Sequence, residues 1–294
     1  MKKALRLLGL AAGGIAGAGA LFAVWAFAAA YRGTHRPRSV SLPAVALPAR
    51  GDARRGRRLV QVRLSCVECH GMDLAGATVV DDPMVASFHG SNLTPFELKT
   101  WTDLEIAHAI RDGVARDGRP LLLMPSQDFQ HLSARDLGDI IAYLRSVPAV
   151  EKPTRPSKLG VVMTALYALG KLPTVTPVDV VDHRAPQAQG PEERVTAEFG
   201  AYLARTSCMG CHGRDLKGGP IPGGDPHWPP AAAITRDALG PWTEEGFIKT
   251  MRTGVNPSGT ALRPPMIVKY TSQFSDTELK ALWAYVQSLP ATGF

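Results

Sequence analysis

Cysteine is scarce in this chain. Its 294 residues hold four, and all four fall in two pentapeptides, Cys66-Val67-Glu68-Cys69-His70 and Cys208-Met209-Gly210-Cys211-His212. No thiol is left over for a disulfide, a nucleophile or a separate metal ligand. Acid is missing from the first fifty residues, which carry seven Lys and Arg. Charge of either sign is missing from Leu7 to Tyr31. A convincing alternating strand pattern is missing as well, which points away from a sheet architecture.

The spacing inside the pentapeptides carries the chemistry. Two cysteines three positions apart can each bond a haem vinyl group as a thioether, and the following His then lies under the iron. Zinc sites and thioredoxin-like motifs also use Cys-x-x-Cys. The shared downstream pattern favours haem. His70-Gly71-x-Asp73-Leu74-x-Gly76 answers His212-Gly213-x-Asp215-Leu216-x-Gly218. Leu93-Thr94, Trp101-Thr102 and Arg111-x-Gly113-Val114 answer Ile234-Thr235, Trp242-Thr243 and Arg252-x-Gly254-Val255. Pro148 and Pro290 each stand 78 residues beyond their histidine. This is one module, duplicated.

The repeat also selects a second iron ligand. Met124 and Met266 each lie 54 residues beyond His70 and His212. Both sit in proline-bearing loops, which resist helix and fix a side chain in place. A Met opposite His is common in cytochromes c and raises the potential. Met72, Met84, Met163, Met209 and Met251 share no such spacing and read as core filler. His89 and His227, in loops near the haem segments, are the rival ligands. His35, His108, His131 and His183 read as surface or core histidines. Trp101 and Trp242 are candidates to bond a haem propionate through the indole N–H, and Arg111 and Arg252 to pair with one by charge.

These motifs resemble those of a membrane-anchored dihaem class I cytochrome c. They are similar to the cytochrome c subunits of periplasmic dehydrogenases, down to a closing Ala142-Tyr143-Leu144-Arg145-Ser146-Val147-Pro148 and Ala284-Tyr285-Val286-Gln287-Ser288-Leu289-Pro290. The resemblance covers about two thirds of the chain. It implies two covalently bound haem c groups (iron), held by Cys66, Cys69, Cys208 and Cys211 and ligated by His70, Met124, His212 and Met266. It also implies an electron carrier without catalysis of its own. Such a carrier takes electrons from a periplasmic dehydrogenase or quinol-linked complex and passes them to a soluble cytochrome or terminal oxidase. The alternative is a dihaem enzyme such as a cytochrome c peroxidase, in which one Met would be dispensable.

The expected fold is all-α: two tandem class I cytochrome c modules after an N-terminal transmembrane helix. The expected divisions are an anchor at 1–31, a linker at 32–50, modules at 51–150 and 191–294, and an interdomain segment at 151–190. Ser133-x-x-Asp136 and Ser275-x-x-Glu278 predict capped closing helices with apolar stripes. Thr102 and Thr243 predict a second helix in each module, and Gly218 to Pro230 a loop. Residues 159–172 read as a short helix, too short to span a bilayer, packed across the two modules, with a role at the membrane surface as the less favoured alternative.

Leu7 to Tyr31 is long for a signal-peptide core of about 7–15 residues and suits a span of roughly 20. Ala26-x-Ala28 and Ala28-x-Ala30 offer cleavage sites, but length favours retention. Basic residues flank both ends, so the positive-inside rule gives no orientation. Haem c attachment outside the cytoplasm, as the resemblance implies, sets a single-pass protein of the bacterial inner membrane with its haem modules in the periplasm. The net charge of +7 does not imply nucleic acid. Residues 51–150 and 191–294 carry −2 and zero, so the excess belongs to the N-terminal segment and the region between modules.

Overall fold

The structure is a computed structural model describing residues 2–40, 42, 44–222, 224–225 and 227–291. It is mostly helical, with the two repeats as separate packed units. Residues 223 and 226 of the expected loop at Gly218 to Pro230, and the last three residues of the second module, lie outside the described residues.

Helix α1 (Lys2–His35) continues one turn past Tyr31. Leu7, Leu10, Ile15, Leu21 and Phe27 are exposed along it, while Ala26, Ala30 and Thr34 form a buried stripe near its C-terminal end. The helix is long and apolar enough to cross a membrane. The chain after it does not swing free. Arg38 N–H donates to the Gly118 carbonyl at 2.9 Å, and its guanidinium pairs with Asp179. Val45 and Leu47 pack on the first module's core.

Module one opens with α2 (Ala53–Arg58), which runs on as a π-helical turn over Leu59–Arg63. It crosses the closing helix α7 (Ala134–Ser146). In module two, α9 (Ala197–Ser207) crosses α13 (Asp276–Ser288) in the same way. Both crossings depend on glycine. A Cβ on Gly56 would stand 1.8 Å from the Asp139 carbonyl oxygen, and one on Gly200 would stand 1.9 Å from that of Ala281. The first repeat has two more residues between this glycine and its haem cysteine. A π turn is one way a helix absorbs extra length.

The second helices are α5 (Asp103–Asp112) and α11 (Glu244–Thr253). Thr102 and Glu105 close a capping box on α5, and Thr243 caps α11. Glycines at positive φ, Gly113 and Gly254, end both helices. Leu59, Ile106, Leu137, Ile140 and Leu144 fill the first core. Phe199, Leu203, Phe247, Leu279 and Leu282 fill the second.

The helical expectation holds with one addition, and one expectation about the interdomain region is corrected. The fold is mainly helical, but it includes a three-stranded antiparallel sheet of β1 (Thr78–Asp82), β2 (Ala86–His89) and β3 (Lys158–Leu159). Most of β1 faces solvent, so no buried face wrote an alternating pattern into its sequence. The region 151–190 also differs. Its helix α8 (Val161–Ala168) packs on the end of α1 and not across the modules. The rest of the region wraps module one, where Asn92 donates to the carbonyls of Val150 and Lys152.

Candidate haem sites

Each Cys-x-x-Cys-His forms a single helical turn, α3 (Val67–His70) and α10 (Met209–His212). His70 N–H donates to the Cys66 carbonyl at 3.0 Å, and His212 N–H to that of Cys208 at 3.0 Å. This turn brings both cysteines and the histidine of each motif to one face. Gly76 and Gly218, six residues past each histidine, have φ of 87° and 74°. A Cβ there would strike the Gly90 or Ala231 carbonyl oxygen at 2.4 and 2.2 Å. The close approach lets a returning strand of chain pass behind each haem turn.

That return fixes the imidazoles. His70 Nδ1 bonds the Ser91 carbonyl at 2.7 Å, and His212 Nδ1 bonds the Ala232 carbonyl at 2.8 Å. With a carbonyl as partner, Nδ1 carries the proton and Nε2 keeps its lone pair for a metal. Burial holds His70 below the usual histidine range, against the raising effect of its bond to Ser91, so it stays neutral, the ligating form. Burial pushes the Cys66 and Cys208 thiols up to about 12, so neither is a ready thiolate when free.

His70 opens onto a largely apolar, partly open cleft. Cys66, Trp101, Ile106, Met124 and Phe129 also line it. Cys66, a neutral buried imidazole and a Met thus share one apolar cavity in module one, a donor set and environment that fit a haem. Met124 follows Leu123, whose φ is 61°. Leu123 N–H donates to the Val175 carbonyl at 2.9 Å, so the interdomain region braces this loop. Met266 is half-buried, and its N–H donates to the Arg263 carbonyl at 3.1 Å.

The rival ligands are otherwise engaged. His89 has Ser87 Oγ at 2.9 Å from Nε2 and Thr78 Oγ1 at 3.2 Å from Nδ1. His227 is almost fully exposed beside Asp225. The two candidate arginines are held by protein groups. Arg111 is fully buried and donates to Asp112 and the Ala185 carbonyl, while Arg252 donates to the Ser272 carbonyl and Asp276. Both brace protein. Trp101 lines the cleft, and Trp242 packs on the second core. Met163, Met209 and Met251 do fill cores, but Met72 and Met84 are exposed.

The motifs do not reveal how the two sites face each other. The position four beyond Met124 is Asp128, in α6 (Ser126–Phe129), and it lies against Gly210 of the second haem turn. The position four beyond Met266 is Tyr270, in α12 (Val268–Thr271). It donates to Glu68 of the first haem turn, and Lys269 pairs with the same carboxylate. Gly210 and Glu68 occupy the same place in their motifs. Each module therefore lays its Met loop on the other's haem turn, an arrangement with approximate two-fold symmetry. A buried ionic cluster adds to this contact. Arg63 lies 3.8 Å from Asp136 and 3.6 Å from Glu278, equivalent residues of the two closing helices. Arg55 joins Asp136, Asp139 and Glu193.

Comparison with known proteins bears on the two modules separately. Residues 51–144 match the family described as cytochrome C oxidase, cbb3-type, subunit III, and residues 197–290 match cytochrome c. The chain is 26% identical over 255 residues to the "Alcohol dehydrogenase (quinone), cytochrome c subunit" of Gluconacetobacter polyoxogenes, covering 76% of this chain and 53% of that one. It is 25% identical over 272 residues to a "Diheme cytochrome c-type" of Cereibacter sphaeroides, covering 82% and 87%. It is 38% identical over 96 residues to the "Gluconate 2-dehydrogenase cytochrome c subunit" of Pantoea cypripedii, covering 29% of this chain and 21% of that one. The chain thus spans about half the length of the alcohol dehydrogenase subunit. Two cytochrome c domains with shared motif order, in chain-long similarity to a dihaem protein, place this chain among the c-type cytochromes, as a dihaem electron-transfer protein with a haem c bound covalently in each domain.

Proposed function

We propose that the chain is a single-pass membrane cytochrome relaying electrons outside the cytoplasm, from a dehydrogenase or quinol-linked complex to a soluble cytochrome or terminal oxidase. Cys66 and Cys69 hold one haem, and Cys208 and Cys211 the other. His70 and Met124 ligate the first iron, and His212 and Met266 the second. When bound, the haems supply the one-electron redox step. The protein positions them, excludes water and supplies the ligands.

The observation that carries this reading is the cavity shared by Cys66, His70 and Met124, with Nδ1 of His70 occupied by a carbonyl. A filled site on both faces suits electron passage and leaves no place for substrate. Module one extends over 51–150 and draws on the interdomain region to brace Met124. Module two extends over 191–294. Helix α1 anchors the chain, with its N-terminus in the cytoplasm. The names of the relatives support a dehydrogenase as donor.

The test is a spectrum of the matured full-length protein. Pyridine haemochrome should give two haems per chain, and the near-infrared charge-transfer band should report Met ligation at both ferric irons. One high-spin haem, with peroxide turnover, would overturn the carrier reading in favour of an enzyme.

A further inference from the structure

Helix α8 is apolar on every side. Residues 159–170 hold no charge, and an all-round apolar helix needs cover on all its faces. Its inner face has cover. Met163 and Tyr167 pack with Ala86, Phe88 and Val175. Tyr167 also presses on Gly33 of α1, where a Cβ would fall 2.4 Å from its ring. Its outer face has none from the described residues. Val161 is 66% exposed, Val162 46%, Leu166 36% and Leu169 52%. The β1–β2 turn extends the patch, with Met84 51% and Val85 45% exposed. That turn is tied to the start of α8, since Val162 N–H donates to the Met84 carbonyl at 2.8 Å.

The position of this patch indicates its partner. It adjoins the last turns of α1, where Ala26, Ala30 and Thr34 are buried. Helix α1 has 34 residues, so at about 1.5 Å per residue it outreaches a hydrocarbon core of about 30 Å. Its exposed apolar surface runs to Phe27 and Tyr31, next to the region α8 covers. The apolar surface is therefore continuous from the span onto α8. Exposed cations flank it: Arg32 and Arg36 after the span, Lys158 before α8 and Lys171 after it. Such cations suit phosphate headgroups beside a shallowly buried apolar face.

We infer that α8, with the β1–β2 turn, is a membrane-surface foot whose outer face enters the lipid leaflet at the C-terminal end of α1. The inference rests on the anchoring role proposed for α1. The foot and the end of α1 form one packed unit with module one, so the bilayer sets the height and tilt of that module. An anchor on a loose tether would leave both undefined.

The test uses the full-length haem-loaded protein in vesicles of phosphatidylcholine and phosphatidylglycerol. A photoreactive benzophenone residue replaces Leu166 or, separately, Leu169. Matching variants at Ile15 and Arg194 serve as span and solvent controls, and haem content checks each fold. Irradiation followed by peptide mass spectrometry should find acyl-chain adducts at 166 and 169 about tenfold above those at 194, as expected of a face within the headgroup and acyl boundary. Adducts at 15 without adducts at 166 and 169 would overturn the foot and leave the anchor standing. No adduct at 15 would sink the anchoring reading and the foot together. Cross-links to protein at 166 and 169 would overturn the inference in favour of a protein-docking face.

Discussion

Tyr202 of the second repeat sits inside the helix cap of Asp136 in the first. Its hydroxyl accepts the Ser133 N–H at 3.0 Å and donates to the Asp136 carboxylate. The equivalent cap at Ser275 and Glu278 closes on itself, and there Arg58 of the first module docks onto Glu278. Both closing helices are therefore started with help from the other module. Stability of the two modules should be coupled.

Tyr202→Phe keeps the ring and removes the link. It leaves a buried N–H and a buried carboxylate short of a partner, at a cost of about 1–3 kcal/mol. Urea unfolding followed by circular dichroism should show that loss. An unchanged midpoint would mean that the cap does not depend on Tyr202.

Met124→Ala and Met266→Ala should each remove about half of the near-infrared Met band and lower one of the two reduction potentials. Redox titration of the purified protein checks both. Unchanged potentials in both variants would sink the Met assignment.

Asp128 gives a pH signature. Burial against the second haem turn raises its pKa to about 6, against the lowering pull of Arg214. Unfolded, it would titrate near about 3.9, so between those values the folded chain holds the extra proton. Its burial therefore costs stability in full above about pH 6, and the cost fades as pH falls toward 4. Asp128→Asn should stabilise at pH 7 by up to about 3 kcal/mol and change little at pH 4. Denaturation measured at both pH values checks it. Equal gains at both would show that its titration is not the cause.

Gly200→Ala should be among the most damaging single-methyl changes. The added carbon meets a backbone carbonyl, not a flexible side chain, so α9 and α13 must move apart. A loss of about 1–3 kcal/mol is expected, read from thermal unfolding, with haem retained. Gly219→Ala is the control: its Cβ meets nothing within 4 Å, although its φ of 114° adds local strain.

What the sequence discloses follows from range. The caps at Thr102, Ser133 and Ser275 and the glycine stops at Gly113 and Gly254 are written within a few residues of one another, so periodicity and spacing reach them. The paired distances to Met124 and Met266 are legible because the module occurs twice. The burial of Arg111 is not legible because its partner Ala185 arrives from 74 residues away. The carbonyls of Ser91 and Ala232 carry no side-chain signature, so nothing in the motif announces them. The meeting of Glu68 with Tyr270 spans 202 residues and depends on how two finished modules dock.

The bond from Leu123 to Val175 has a consequence for biogenesis. A chain that emerges from its N-terminus has both cysteines and the histidine of its first motif well before residue 175. The turn at Cys66 to His70 is locally complete at that stage, but the Met124 loop still lacks its brace. The first haem motif is thus complete about a hundred residues before the brace on the Met124 loop. The brace on the Met124 loop is thus supplied by chain that precedes the second motif at Cys208, so the first pocket is complete without it.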